Sequence, residues 1–512
     1  MKKLFLLLLF IATLQASIAQ NGTEPVNITD LLKVKTVNNV TLNKAGTKVA
    51  FTVTSIEADP ASELDYKYRS QIYSASTTST ADPIQLTTSK EGATKPAWSP
   101  DGKQLAFTRS VEDKSQIFIL SLDGGEPMQL TNHKYGANNP KWSPDGKKIL
   151  FSAPISLQVL IADSTLNKSH SIPTWPMEKP GFSNNDYLLP KSGKPNPDGN
   201  LSEIRAYLDK NAIDKKAIVL TKLNFQNESA ISSEMNFNHF FDINVTKDAT
   251  PRLLTKGFYS FTNAEYTPDG KQLIFSGDAD NAENPDRSLE SEIYLADSDG
   301  SNFKVILGQK DKRYSNASVS HSGKWLAFLF SSTSFVSVPT LAVMPINGTE
   351  KDIITIPFDR NKTNLIWSQD DKQLYFTGQS NGGNVLNKAN IASRKVESLS
   401  SSDIGISSFD IANKTLVYSK TEISNPSELY FANTDFTKER KISDFNDWVQ
   451  TRKLSFPEKK NFVNDLGMTI EYWVMKPSNY KEGEKYPLLL EIHGGPSAMW
   501  GQIGRASCRE RV

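Results

Sequence analysis

Trp98-Ser-Pro-Asp-Gly102, followed by Lys103 and the short apolar run Gln104-Leu-Ala-Phe-Thr108, is the stretch whose reading decides the fold. Proline presets φ at the second turn position, aspartate accepts local backbone hydrogen bonds, and glycine takes the exit, where a side chain would hinder the chain. Such a turn ahead of an apolar segment predicts a hairpin of two antiparallel strands. The pattern returns as Trp142-Ser-Pro-Asp-Gly146 before Lys148-Ile-Leu-Phe-Ser152, and as Tyr266-Thr-Pro-Asp-Gly270 before Gln272-Leu-Ile-Phe-Ser276.

Each hairpin is followed by a second one. Ser115-Gln-Ile-Phe-Ile-Leu-Ser-Leu122 alternates as a strand, Asp123-Gly-Gly-Glu-Pro127 turns, and Met128-Gln-Leu-Thr131 returns; Ser291-Glu-Ile-Tyr-Leu295 with Asp299-Gly300 repeats the arrangement. Four strands per unit is the blade of a β-propeller. Weaker copies precede Val49-Ala-Phe51, Trp325-Leu-Ala-Phe328, Gln373-Leu-Tyr-Phe376 and Leu416-Val-Tyr418, giving seven blades over 28–443, with six or eight left open. Residues 154–238 do not follow the repeat. They hold a Pro/Gly/Asn-rich loop from Ile172 to Asn200 and one amphipathic helix, capped by Asn200 with Glu203 and carrying Leu201, Ile204 and Leu208 on one face. Removing that insertion leaves about 47 residues per unit, near the ~40–45 usual for four-stranded blades.

Beyond the repeat, in 444–502, Tyr486-Pro-Leu-Leu-Leu-Glu-Ile492 reads as a strand buried on both faces of a parallel sheet. It breaks into His493-Gly494-Gly495-Pro496, which resembles the HGGG-type loop that lends an oxyanion-hole amide in α/β-hydrolases. Consecutive glycines let an unhindered N–H approach a substrate carbonyl. The matching G-x-S-x-G nucleophile elbow does not occur in the 512 residues.

At the other end, Lys2 and Lys3, the apolar stretch Leu4 to Leu14 and Ser17-Ile18-Ala19 read as a cleavable export signal over residues 1–19. This stretch is too short for a transmembrane helix, which needs roughly 20 apolar residues, and no other segment suits one. The expectation is a periplasmic or secreted protein. Formal net charge is +1. Without Lys2, Lys3 and the arginine-rich end, the remainder is slightly acidic and has no basic run, so nothing favours a nucleic-acid partner. Residues 503–512 resemble a translated frame of a sequencing adapter, the alternative being a genuine basic tail; the single cysteine, Cys508, lies there. Disulfides are therefore not expected to hold the fold.

A propeller leading into a strand that ends in HGGP resembles the S9, or prolyl oligopeptidase, family of serine peptidases. Pro426-Ser-Glu-Leu-Tyr430, Thr469-Ile-Glu-Tyr-Trp-Val-Met-Lys-Pro477 and Lys485-Tyr-Pro487 are similar to its linking segments, so the likeness runs from about Asn27 to Gly501. The SPDGK turns alone also occur in binding propellers of the TolB kind. The resemblance implies the following expectations. The substrate is a peptide and there is no cofactor. A Ser-Asp-His triad lies beyond Gly501, and a propeller limits entry to the active site. The Gly494 amide serves first and Gly495 second in the oxyanion hole, beside His493. Histidine at position 493, where dipeptidyl peptidases use a tyrosine, points toward the acylaminoacyl-peptidase or oligopeptidase side. On this reading the 512 residues alone hydrolyse nothing, and the unpaired strand 486–492 promotes aggregation.

The blander readings are a structural His493 at a strand end, scattered histidines (His133, His170, His239, His321) without metal-ligand spacing, and Trp98, Trp142 and Trp367 as packing residues. Asp101, Asp145 and Asp269 read as turn residues, not calcium ligands. The competing functions are a non-enzymatic TolB-like propeller that binds an envelope partner, and an esterase. Oligomeric state has no signature in the sequence.

Overall fold

A computed structural model describes residues 22–60, 62, 65–175, 185–188, 193–213, 220, 222–223, 225–226, 231–232, 234–279, 284–334, 337–492, 499–501 and 504–505. The predicted hairpins form. In the turn at 98–104, Gly102 N–H donates to the Ser99 carbonyl at 2.9 Å, and Gly102 has φ +70°. Asp101 Oδ1 accepts from Ser99 Oγ at 2.6 Å and from Lys103 N–H at 3.1 Å, and Ser99 Oγ accepts from Gln104 N–H at 2.9 Å. The turns at 142–148 and 266–272 repeat these contacts. Where the glycine is replaced, in Trp367-Ser-Gln-Asp-Asp371, Asp371 takes φ +59°. Its carboxylate accepts from Ser320 Oγ and from the backbone N–H groups of His321 and Ser322 in the preceding unit, which offsets the strain.

Strands succeed one another in antiparallel sheets. Five sheets are four-stranded and contiguous in sequence: Thr36–Leu42 to Ile84–Gln85, Thr94–Trp98 to Met128–Gln129, Asn138–Trp142 to Arg252–Leu253, Ser260–Tyr266 to Lys304–Leu307, and Lys312–Val319 to Ile354–Ile356. A sixth, eight-stranded sheet runs from Lys362–Trp367 to Arg440–Lys441, with one parallel bridge, Asn384 to Gly405, joining its two halves. The first strands of successive units touch at most junctions, the third unit meets the fourth through Asn236–Asn244 against Ser260–Tyr266, and the first strand of the chain contacts Gly405–Ala412. This is a β-propeller. Counted strictly as sheets there are six, and seven units result only when the eight-stranded sheet is divided at its bridge.

The core lies between the sheets. The second strand of each unit supplies one aromatic ring (Phe51, Phe107, Phe151, Phe275, Phe328, Phe376, Tyr418), all 0–1% exposed. Such rings bury more area than any aliphatic residue at that position could. Neighbouring units are also hydrogen-bonded across their seams. Trp98, Trp142 and Trp367 donate their indole N–H to the carbonyls of Thr41, Ala97 and Ser318 in the preceding unit, at 3.0, 3.0 and 3.1 Å. Where the tryptophan is replaced by Leu42 or Val319, the later unit still donates, but backbone and side chain exchange roles. Their backbone N–H groups donate to carboxylates from the preceding unit, Asp410 at 2.7 Å and Glu265 at 2.5 Å.

Among the described residues the ring closes without a shared strand. Val37, Val40 and Lys35 N–H groups donate to Ser427 Oγ, Ser408 Oγ and Asn446 Oδ1 at 2.7, 2.9 and 2.8 Å. Val37, Leu42 and Phe51 pack there with Val417 and Leu429. Outside this seam, Arg452 Nε is 2.8 Å from Asp30 Oδ2 and its guanidinium also meets Glu24.

Strand Lys148–Ser156 pairs along its whole length with Asn236–Asn244, so 157–235 projects between the second and third strands of its unit. In it, helix Leu201–Ile213 has the expected cap: Asn200 Oδ1 accepts from Ser202 and Glu203 N–H at 3.0 and 3.1 Å. The expected apolar face is not buried. Leu201 and Leu208 are 61% and 57% exposed, and Ala206 is the residue that packs inward.

Candidate active site

Alternating strand direction puts every turn between first and second strands on one face of the ring. Every turn between second and third strands, and every connection between units, lies on the other. The insertion at 157–235, the tip Asn381-Gly382, and the chain after Lys441 therefore share a face, opposite the Ser-Pro-Asp-Gly turns.

From that face the chain continues as a hairpin, Pro457–Val463 against Thr469–Met475. It docks on the tip between strands Gln373–Ser380 and Gly383–Asn390. Lys459 Nζ donates to the Asn381 carbonyl at 3.3 Å and lies 5.7 Å from the Trp473 ring centroid. Gly382 has φ +91°, and a Cβ there would lie 2.2 Å from Trp473, so glycine is required twice over.

His493, Gly494 and Gly495 lie outside the described residues. What is described is where their loop leaves and where it returns. It leaves after Ile492, 79% exposed, and returns at Met499, whose sulfur accepts from Gly382 N–H at 3.2 Å. A Cβ on Gly501 would sit 2.2 Å from Gly382 Cα. The return end of the glycine loop is thus held on the same propeller tip as Trp473.

One expectation fails here. Tyr486–Ile492 is not a strand, and Leu488, Leu489, Leu490 and Ile492 are 75–91% exposed. A strand buried on both faces needs hydrogen-bonding neighbours and covering helices, and the described residues place none beside it. Tyr486 is tied only locally, its hydroxyl donating to Glu484 at 3.0 Å and accepting from Lys481 N–H at 2.9 Å.

Two clefts open on this face. One, of about 320 Å³, is lined by Lys420, Glu422, Glu428, Tyr430, Lys441 and Asp447, among others. Its charges are matched internally: Lys420 pairs with Glu439 at 3.0 Å and Lys441 with Asp444 at 3.1 Å. Burial raises the Glu428 carboxyl above its ordinary range, although Ser443 and Asn446 N–H donate to it. The other cleft, of about 300 Å³, lies between the first two units and includes Arg69, Lys90, Thr108 and Arg109. Sequence reading missed both clefts. Neither stands on a motif; each is made by residues from different strands. Of the histidines, His239 is buried, and desolvation lowers it to about 4, so it is neutral near pH 7. Among the described residues, no three His, Cys, Asp or Glu side chains are grouped to hold a metal ion, and no helix is long and apolar enough to cross a membrane.

A family described as TolB beta propeller domain matches residues 61–188. The chain is 25% identical over 496 residues to an uncharacterized peptidase, YuxL, of Bacillus subtilis, covering 92% of this chain and 66% of that protein. It is 25% identical over 267 residues to dipeptidyl-peptidase 5 of Trichophyton schoenleinii, covering 48% of this chain and 36% of that enzyme. The solved structure of Pyrococcus horikoshii acylaminoacyl peptidase superposes with a TM-score of 0.64 at 17% identity, covering 94% of this chain and 63% of that one. The chain thus spans no more than about two thirds of the length of these relatives. It shares their fold, and its likeness to S9-type peptidases, read first from HGGP and the repeated turns, stands.

Proposed function

We propose that this chain is the propeller and the first part of the catalytic domain of an exported serine peptidase of the S9 type that hydrolyses oligopeptides. The observation that carries the reading is the peptidase likeness across 92% of the chain. In this scheme a serine on a nucleophile elbow, C-terminal to Gly501, attacks the peptide carbonyl. A histidine takes its proton and an aspartate orients that histidine. The oxygen that gains negative charge is met by the Gly494 amide, with Gly495 next to it; one such donor is worth about 3–4 kcal/mol in the transition state. His493 stands beside them in the same loop. The return of the loop to Gly382 supports a further role for the propeller, which holds the loop on the face that also carries 157–235 and screens the site from folded proteins.

The test is expression of the complete gene and assay of blocked and unblocked peptides, with the serine of its G-x-S-x-G replaced by alanine. Peptide turnover lost in that variant is expected. A complete gene without such an elbow, or turnover confined to simple esters, overturns the proposal. The 512 residues by themselves are expected to take up no serine-directed phosphonate.

A further inference from the structure

We propose that the cleft between the first and second four-stranded units binds a carboxylate group, supplied by the free C-terminus of a peptide, with Arg109 as its principal donor and Lys90 beside it. The inference deepens the peptidase reading and rests on it only for the identity of the ligand.

Arg109 ends the inward part of strand Gln104–Val111. Its guanidinium lies 5.2 Å from the Phe107 ring centroid and 4.8 Å from that of Phe118. Those two rings stack on each other at 5.7 Å, so one side of the cation faces hydrocarbon. Among the described residues Arg109 makes no hydrogen bond or ion pair, and its Nε is buried without a partner. Burial lowers its affinity for its proton, and Glu126 is near enough only to oppose that in part. An unpaired, partly desolvated cation of this kind gains strongly from a carboxylate that accepts two parallel N–H bonds.

A second group points the same way. Thr108 is 6% exposed, lines the cleft, and its hydroxyl has no partner. Elsewhere the corresponding hydroxyl bonds to an asparagine on the neighbouring first strand: Thr52 to Asn39 at 3.3 Å, and Ser152 to Asn139 at 3.1 Å. In the second unit that asparagine is replaced by Lys95, which reaches away to Asn139 at 2.7 Å. Among the described residues Thr108 is left with its hydrogen-bonding capacity unused, a desolvation penalty that a ligand oxygen would relieve.

The other charges of the cleft separate cleanly. Lys67 is paired with Asp59 at 2.6 Å and Arg69 with Glu57 at 3.1 Å. Lys90 has no ion pair among the described residues, and Glu91 is the acid on the lining. The position of Arg109 is taken by Lys420 in the last unit, where Glu439 neutralises it. Among the described residues Arg109 has no such partner. A cleft of about 300 Å³ is at the small end of ligand sites and accommodates the last one or two residues of a peptide.

The test is fluorescence anisotropy of the unmodified 512-residue chain with a labelled tripeptide, once as the free acid and once as the C-terminal amide. The acid is expected to bind at least about tenfold more tightly, with a difference that weakens as salt is added. Arg109→Met should abolish that preference and Lys90→Ala should reduce it. Arg109→Lys, which still covers the rings but lacks the planar fork, should lose affinity too, while its circular dichroism and urea midpoint stay near those of the parent chain. Equal binding of acid and amide, or an unchanged preference in all three variants, overturns the proposal. Displacement of the peptide by acetate at the same concentration overturns the peptide as the source of the carboxylate. No bond is cleaved in this assay, so failure leaves the peptidase reading intact, and failure of that reading leaves the binding result standing.

Discussion

Replacing Asp410 by asparagine should remove a pH dependence written into the seam that closes the ring. Asp410 Oδ2 accepts from Leu42 N–H at 2.7 Å and Oδ1 from Ile411 N–H at 2.8 Å. Burial between the units nevertheless outweighs those two donors and pushes the carboxyl from 3.8 to about 6. The native state therefore holds this proton more tightly than the unfolded chain does. The stability so contributed is fully present below pH 4 and is lost as pH rises through 6. About two units at 1.36 kcal/mol each correspond to about 2–3 kcal/mol. Asparagine keeps an acceptor for Leu42 N–H and does not titrate. Urea unfolding of both proteins at pH 4 and pH 7.5 measures the effect. The parent should lose about 2–3 kcal/mol more than Asp410→Asn between these conditions, and the double difference cancels the other carboxyls, Glu265 and Glu428 included. Identical pH slopes in the two proteins would refute the argument, because the seam would then be wet enough for an ordinary carboxylate.

Lys362 is 3% exposed, its ammonium donates to the Pro339 carbonyl at 2.5 Å, and burial lowers it to about 8. The native state is handicapped below pH 8 and recovers as pH climbs toward 10.5, so Lys362→Met should be more stable than the parent by about 1–3 kcal/mol at pH 7, an advantage that shrinks by pH 10; urea midpoints at both pH values check this, and a destabilised variant at pH 7 would contradict it. Trp142→Phe keeps most of the packed ring but removes the donor to the Ala97 carbonyl, and should cost about 0.5–1.5 kcal/mol in the same assay; no loss would mean that the indole only fills space.

The turns were legible because their chemistry is local. Ser99, Asp101 and Gly102 satisfy one another within six residues, and a pattern that short survives in sequence. The weak copies were legible through the aromatic residue on each second strand, whose burial is common to all units. The seams were not legible. That Asp410 serves Leu42, or Glu265 serves Val319, depends on residues 368 and 54 positions apart. Hydrophobicity also misled. Leu488 to Ile492 has the composition of a buried strand, but composition specifies an environment without supplying it. Leu201 and Leu208 failed for the same reason. As for the site, the glycine loop was recognisable by type, whereas its attachment at Gly382 follows from a glycine that looked like any hairpin tip. Arg109 could not be found in sequence at all, because what distinguishes it from Lys420 is the lack of a partner in space among the described residues.

Each unit is built from consecutive residues, and the last junction is joined by side-chain acceptors, not by a strand borrowed from the opposite terminus. Assembly during synthesis can then proceed vectorially, one hairpin pair after another, with few contacts distant in sequence until Val37 meets Ser427. Since no strand bridges the two ends, new termini placed at another inter-unit connection would leave every sheet intact. A circularly permuted chain opened between Leu307 and Lys312 would interrupt a short connection and no strand, while its joined old ends would still need Asp30 and Arg452 to find each other.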